Sequence, residues 1–356
     1  MSIKNPLAED LDGILAHTDG LWEELRGKQI FITGGTGFFG RWLLESFIWA
    51  NEKLNLNAGA LVLTRNTPAF REKAPHLASH RAVRFQEGDV RSFDFTEGTF
   101  THIVHAATEA SAKLNEEDPL LMLSTITEGT RHTLEFAKHC GAKKFLLTSS
   151  GAVYGKQPPE VAQVTEDHAG APDVMNPGSA YAEGKRLAEL MCSLYQKKHG
   201  LETKVARCFA FVGPHLPLDA HFAVGNFIRD AIKGGPIRVS GDGTPYRSYL
   251  YAADLAIWLW HILFRGEPCR PYNVGSNEAV TITDLAKMVA ATFQPEPEVQ
   301  IAREPAPGKL AERYVPSVRR ASFELDLQPT VSLREALGRT VDWYSNRVEG
   351  NPQGGR

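Results

Sequence analysis

The stretch Gln29-Ile30-Phe31-Ile32-Thr33-Gly34-Gly35-Thr36-Gly37-Phe38-Phe39-Gly40 decides the fold. Its first five residues predict a short buried strand, and glycines spaced three apart predict a tight turn into a helix over 38–50. Gly34 permits the turn, Gly37 lets backbone N–H groups and the helix dipole meet a pyrophosphate, and Gly40 lets helix and strand pack closely. Outward from this unit, apolar strands of parallel type are predicted at 60–64, 83–85, 102–105 and 144–148. Helical stretches separate several of them, notably 119–139, which ends at the C-cap signal Gly141. Alternating strand and helix predicts an α/β fold, a Rossmann-type doubly wound parallel sheet with a smaller C-terminal substrate-binding lobe.

Four regions follow: a helical extension over 1–27, with apolar residues at helical spacing over 7–26; a cofactor-binding domain over 28–210; a lobe over 211–345 with some elements returning to the sheet; and a disordered tail over 346–356. The 356 residues are 42 % apolar, enough for a core of this size. A net charge of -3 gives no broad basic face and argues against nucleic acid as a partner. Cys140, Cys192, Cys208 and Cys269 lie far apart without a Cys-x-x-Cys pair, so neither a metal site nor a disulfide framework is indicated. A polar start and the lack of any span-length apolar run predict a cytoplasmic protein that does not enter membranes.

The end of the second strand meets the adenosine ribose in such folds, and a carboxylate there would select NAD(H). Here it reads Thr64-Arg65-Asn66, and Arg65 can hold a 2′-phosphate, so NADP(H) is favoured with NAD(H) possible. Asp89, in Gly88-Asp89-Val90, is placed to meet the adenine edge.

Tyr181 and Lys185 lie one helical turn apart and share a face. A phenol is a poor base at neutral pH unless nearby positive charge lowers its pKa, which the Lys185 ammonium and a nicotinamide ring would do. Tyr181 would then exchange a hydroxyl proton while the cofactor exchanges a hydride, and Lys185 would reach the nicotinamide ribose. Ser150, where the strand of 144–148 runs into its turn, supplies a third donor.

The motifs Thr33-Gly34-x-x-Gly37-x-x-Gly40, Gly88-Asp89-Val90, His105-Ala106-Ala107, Ser149-Ser150-x-x-Val153-Tyr154-Gly155 and Tyr181-x-x-x-Lys185 resemble the extended short-chain dehydrogenase/reductases. Within them, residues from about 28 to about 340 look like the NAD(P)-dependent epimerase/dehydratase family that modifies nucleotide sugars. The resemblance implies Ser150, Tyr181 and Lys185 as the catalytic trio. It implies a cofactor shell of Gly34, Thr36, Gly37, Phe38, Phe39, Gly40, Thr64, Arg65, Asp89, Val90, Ala106 and Ala107, together with Tyr181 and Lys185. For a nucleoside-diphosphate sugar it implies Arg247 and, more weakly, Arg313 on the diphosphate. Asn226 would face the nucleotide, with Ser150, Gly151 and His221 near the sugar. A homodimer through the helices near 119–139 and 179–199 is also implied.

Departures from the family pattern narrow the reaction. Dehydratases of this kind carry an acidic pair directly after the catalytic hydroxyl residue, and the related decarboxylases keep a glutamate at the second position; here Gly151 and Ala152 stand there. Hydride and proton transfer at one carbon, C4, remains, which fits a 4-ketoreductase or a 4-epimerase, and the NADP(H) expectation favours the ketoreductase. A 4,6-dehydratase would need Glu183 or His221 to replace the missing pair. A cofactor-binding protein without catalysis would be expected to have lost one of the trio. Ile126 stands where the family often has an asparagine, which removes a supporting polar contact.

Overall fold

Seven parallel strands form the central sheet: β1 (Gln29–Thr33), β2 (Gly59–Thr64), β3 (Val83–Glu87), β4 (His102–His105), β5 (Lys144–Ser150), β6 (Glu202–Cys208) and β7 (Pro271–Val274). Their order is β7-β6-β5-β4-β1-β2-β3, so the winding reverses between β1 and β4, where Ile30 pairs with His102 and Thr33 with His105. A crevice outside the carboxyl ends of the strands opens at such a reversal. The computed structural model describes residues 5–108, 111–220 and 222–349.

Both sheet faces are covered, so the strands are apolar on both sides. Ile30 and Ile32 point into one core with the helices α1 (Ala8–His17), α2 (Phe38–Lys53) and α5 (Ala252–Arg265). Phe31 points into the other with α3 (Pro119–His139) and α4 (Ala180–His199). α5 is apolar on nearly every side and is correspondingly buried all round. β6 escaped notice in the sequence because Glu202, Lys204 and Arg207 interrupt it. Lys204 is buried along its stem and brings its ammonium to Glu202 at 2.9 Å.

Past residue 210 the chain builds the smaller lobe and then returns twice, as α5 against the sheet and as β7 within it. A small lobe sheet joins Val280–Thr281, Tyr246–Arg247 and Arg313–Tyr314 in that order. Arg247 pairs with Val280 on one side and with Tyr314 on the other. The single leading helix expected over 7–26 is instead α1, a turn at Gly20 (φ +72°), and a 3-10 helix at Trp22–Leu25. A glycine at positive φ ends the helix and redirects the chain into the core. The last helix, Leu333–Glu349, occupies the start of the expected disordered tail, whose remainder lies outside the described residues. Among the described residues no helix is long and apolar enough to cross a membrane.

The N-terminal extension is part of the core. Trp22 is fully buried, its ring 4.7 Å from Trp260 and 6.1 Å from Phe264 on α5, and its Nε1 donates to Thr18 Oγ1 at 2.7 Å. Glu24 accepts from His102 and Lys144 at the amino ends of β4 and β5. Truncating a core aromatic leaves a cavity, so Trp22→Ala is expected to lower unfolding free energy by roughly 3–5 kcal/mol, read as a fall in the urea midpoint.

Candidate active site

The glycine turn sits at the β1/β4 reversal. Gly34 adopts φ +71°, and a Cβ there would lie 2.5 Å from the Ala106 carbonyl carbon and 2.6 Å from the Ala107 nitrogen. Only glycine allows this approach. Gly40 is as close to the turn, its virtual Cβ 2.3 Å from the Gly34 oxygen. The N-cap of α2 is the exposed Gly37, which has no side chain to cap the first turn. A virtual Cβ on Gly37 meets nothing closer than 3.4 Å, so the cradle opens outward and fits a pyrophosphate. Beneath it His105 bridges Thr33 Oγ1 (2.8 Å) and Thr130 Oγ1 (3.1 Å), and burial pushes its pKa down to about 3. The imidazole is therefore a neutral brace.

At the strand end expected to meet the adenosine, Thr64 is buried and Arg65 is exposed. Asp89 takes a two-point contact from Arg91, Nε to Oδ1 at 2.9 Å and Nη2 to Oδ2 at 2.8 Å. That guanidinium, with Arg65 adding to it, holds the Asp89 carboxyl down to about 2. Val90 packs against Gly129 of α3, where a virtual Cβ would come within 2.8 Å of its Cγ1. Thr36 is half-buried, and Phe38 and Phe39 pack on the core, Phe39 edge-on to Phe211 at 5.1 Å.

The trio expected to be catalytic comes together at the carboxyl end of β5. Lys185 Nζ donates to Thr108 Oγ1 and to the Thr148 carbonyl, both at 2.8 Å. It does not bond the Tyr181 phenol, lying 5.9 Å from that ring's centroid. Burial pushes Lys185 down to about 8 and Tyr181 up to about 12, with the Ser150 hydroxyl pulling the phenol back. The lowering of Tyr181 expected from its lysine is not found within this chain, where desolvation dominates and Ser150 alone opposes it. Asn115 fixes the start of α4, accepting from Tyr181 N at 3.0 Å and donating to the Gly178 carbonyl at 2.8 Å.

Ile126 replaces a polar contact with packing. It is buried against Gly184, between Tyr181 and Lys185, where a virtual Cβ would lie 3.1 Å from its Cδ1. Glu183 falls on another side of α4 and pairs with Arg186 at 3.5 Å, so it does not take the place of an acid at residue 151 or 152. His221 lies outside the described residues.

Two aromatic rings close over the turn after Ser150. A Cβ on Gly151 would meet Phe209 Cζ at 2.6 Å and the Tyr314 hydroxyl at 2.8 Å. Arg313 and Tyr314 share a short strand beside Tyr246–Arg247, so both arginines expected at a diphosphate stand on neighbouring strands. The Arg313 guanidinium lies 4.2 Å from the centroid of the Tyr246 ring, and Arg247 donates to the Tyr246 carbonyl at 2.8 Å. Asn226 is held within its own helix, Ala223–Ile232, by Arg229 donating to its Oδ1 at 3.0 Å, which leaves its amide as donor. Sequence reasoning missed Thr108, Asn115, Phe209 and Tyr314. Thr108 stood directly after His105-Ala106-Ala107 and Tyr314 directly after Arg313, and adjacency to a motif was the available signal.

Residues 30–275 match the NAD dependent epimerase/dehydratase family. The chain is 32 % identical over 323 residues to UDP-glucuronic acid decarboxylase 1 of Danio rerio, covering 90 % of this chain and 74 % of that protein. It is 32 % identical over 309 residues to UDP-glucuronic acid decarboxylase 6 of Arabidopsis thaliana, covering 87 % and 86 %. Among solved structures it resembles UDP-glucose 4-epimerase of Thermus thermophilus in complex with NAD, with TM-score 0.72 and 28 % identity over 89 % of this chain and 98 % of that one. An epimerase from Methanothermobacter thermautotrophicus has the same fold, with TM-score 0.77 at 22 % identity over 98 % and 99 %. The NADP(H) preference expected from Arg65 finds no support in these relatives, whose family is described as dependent on NAD.

The buried lysine has a consequence for stability. Its folded pKa of about 8 lies below the ordinary 10.5, so between these values the unfolded chain holds a proton that the native chain has released. The cost of burying the charge is complete below pH 8 and disappears as pH rises to 10.5. Stability of the wild type relative to Lys185→Met is therefore expected to rise by up to about 3 kcal/mol across that window, read from urea unfolding at each pH.

Proposed function

The chain belongs to the NAD-dependent epimerase/dehydratase family, and from that premise we propose that it moves a hydride and a proton at C4 of a nucleoside-diphosphate sugar, with net reduction of a 4-keto sugar as the outcome. One observation carries the reading. Ser150, Tyr181 and Lys185 meet at the end of β5, while the two positions that follow, Gly151 and Ala152, hold no carboxylate, and Phe209 and Tyr314 fill the space over the first. Such a site can transfer a proton at one oxygen and lacks the acid–base pair that an elimination needs.

The turn from Gly34 to Gly40 would hold the cofactor pyrophosphate. Asp89 and Val90 would meet the adenine, Thr64 and Arg65 the adenosine ribose, and Lys185 the nicotinamide ribose beside Ala106 and Ala107. When bound, the nicotinamide supplies the hydride donor or acceptor. Tyr181 gives its proton to the C4 oxygen, or takes it, and Ser150 orients that oxygen. Lys185 is held in place by Thr108 and the Thr148 carbonyl, which fixes its charge beside α4. Arg247 and Arg313 suit the two phosphates, because planar guanidiniums bind phosphate oxygens in pairs. Asn226 offers its amide to the nucleotide.

A 4-epimerase is the second reading, favoured by the 28 % likeness to a UDP-glucose 4-epimerase holding NAD. The decarboxylases of similar sequence supply a third substrate to try. Purified protein is to be incubated with NADPH or NADH and a panel of nucleoside-diphosphate 4-keto-6-deoxy sugars, then with UDP-glucose and UDP-glucuronic acid. Stoichiometric loss of reduced cofactor is expected, with kcat lowered about 10²–10⁴-fold in Tyr181→Phe. Arg65→Ala is expected to weaken NADP(H) binding and spare NAD(H). Interconversion of UDP-glucose with its C4 epimer, without net cofactor change, would select the epimerase. Release of carbon dioxide from UDP-glucuronic acid would defeat both.

The same premise extends to assembly. Leu120 (77 % exposed) on α3 and Leu190 and Leu194 (54 % and 53 %) on α4 give these neighbouring helices an outward apolar face that suits a second copy of the chain. Light scattering is expected to report a dimer for the wild type and a monomer for the double variant Leu190→Glu, Leu194→Glu.

A further inference from the structure

Lys185 is buried, and both acceptors that its ammonium meets are neutral oxygens, the Thr148 carbonyl and Thr108 Oγ1. A threonine hydroxyl can donate or accept. Here its single proton goes to the Ala107 carbonyl at 2.7 Å, so the oxygen faces Lys185 as an acceptor. The glycine turn sets where this hydroxyl stands. Ala106 N donates to the Thr33 carbonyl at 3.2 Å, Ala107 N to Thr33 Oγ1 at 3.1 Å, and Thr108 N to the Ala106 carbonyl at 3.0 Å. Further along, Asn115 grips the first turn of α4 through Tyr181 N and the Gly178 carbonyl. The segment that leaves β4 therefore holds α4 at Lys185 and again at Tyr181.

We propose that Thr108 is a positioning residue for Lys185: its hydroxyl, locked as an acceptor by Ala107, keeps the buried amine charged and turns its third N–H toward the nicotinamide ribose. The inference rests on the reading of Lys185 as a cofactor contact and deepens it. An ammonium has three donors around a tetrahedral nitrogen. Two of them are fixed at 2.8 Å by Thr108 and Thr148, and with the side-chain stem they leave one direction for the third. The pyrophosphate cradle and the ribose contact are then set by one run of backbone, from Thr33 through Ala107 to Thr108.

Burial pushes Lys185 down to about 8, so bonds that favour the charged form decide whether it holds its proton. Cys208 on β6 and Glu189 and Cys192 on α4 act in the same sense from a distance. His105 on β4 is neutral, and the Tyr181 ring centroid lies 5.9 Å away. The Glu189 carboxylate is already taken by Arg207 and Ser149. Thr108 and Thr148 therefore supply the direct acceptors, and of the two only the Thr108 oxygen belongs to a side chain. Removing that oxygen lowers the pKa of the amine further, so its proton leaves at a lower pH.

The test uses the full chain labelled with 15N at lysine Nζ, its ionisation followed by NMR from acid to alkaline pH. Lys185→Met identifies the Lys185 signal by its loss. In Thr108→Val the Lys185 midpoint is expected to fall by on the order of one pH unit. Binding is read by fluorescence titration with NADH, whose ring is uncharged and does not repel the ammonium. Thr108→Val is expected to lower NADH affinity about tenfold, and Thr108→Ser to restore both affinity and midpoint. Added to Lys185→Met, Thr108→Val is expected to cost no further affinity. An unchanged midpoint in Thr108→Val, or a Thr108→Ser chain that behaves like it, overturns the inference. So does an NADH affinity that falls in Lys185→Met but not in Thr108→Val, or a Thr108 effect that persists without the lysine. Should Thr108→Val fail to fold, Thr108→Ala must show the same falls; their absence there also overturns it. A Lys185→Met chain that binds NADH as tightly as the wild type overturns instead the reading of Lys185 as a cofactor contact, and the midpoint then decides whether Thr108 holds the ammonium.

Discussion

The structure depends on how closely two backbones approach at the β1/β4 reversal. Gly34 lies against the Ala106–Ala107 peptide at a distance that no side chain permits, and Gly40 brings α2 equally close to the turn. That contact sets the height at which β4 ends and therefore where Thr108 begins. Thr108 in turn receives Lys185 from α4, which carries Tyr181 one turn earlier. A short chain of contacts thus joins the cradle for a pyrophosphate to the group that would move a proton. The neutral His105 brace under the turn keeps β1 and β4 in register without adding a charge beside Lys185.

One buried charge pair is held across strand ends. Glu189 of α4 accepts from Ser149 on β5 at 2.5 Å and from Arg207 on β6 at 2.7 Å, and Arg207 reaches the Tyr154 hydroxyl at 2.9 Å. Tyr154 donates to Asn273 of β7 at 2.7 Å. One connected network therefore pins the carboxyl ends of three strands and the turn that follows Ser150. A buried ion pair of this kind adds little net stability by itself, yet removing either partner would strand a charge. Its effect here is positional: the turn after Ser150 is set from the sheet side by Ser149 and from the lobe side by Phe209 and Tyr314.

Legibility in the sequence followed the physics. β1, β4 and α3 were readable to the residue because apolar runs ended at strong punctuation, and the Tyr181–Lys185 spacing placed both on one helical face. β6 was not, because Glu202 and the buried Lys204 satisfy each other at its amino end and mimic a polar segment. The N-terminal extension read as one helix because its apolar spacing runs through Gly20, whose positive φ breaks it. The pKa of Tyr181 could not be read at all. Proximity of Lys185 in sequence implied a lowered value, whereas the balance depends on desolvation and on the lysine being committed to Thr108 and Thr148.

Gly151 shows why a missing residue can carry as much information as one that is present. A Cβ at that position would meet Phe209 and the Tyr314 hydroxyl within 2.8 Å, so a carboxylate after Ser150 requires these side chains to shift. The turn without a carboxylate and the two aromatic rings over it are neighbouring features, seen from the sheet and from the lobe. An acid placed there would have to move those two side-chain tips, and Tyr314 shares its strand with Arg313 and pairs with Arg247. The turn expected to react and the two arginines expected at a diphosphate therefore meet through one short strand of the lobe.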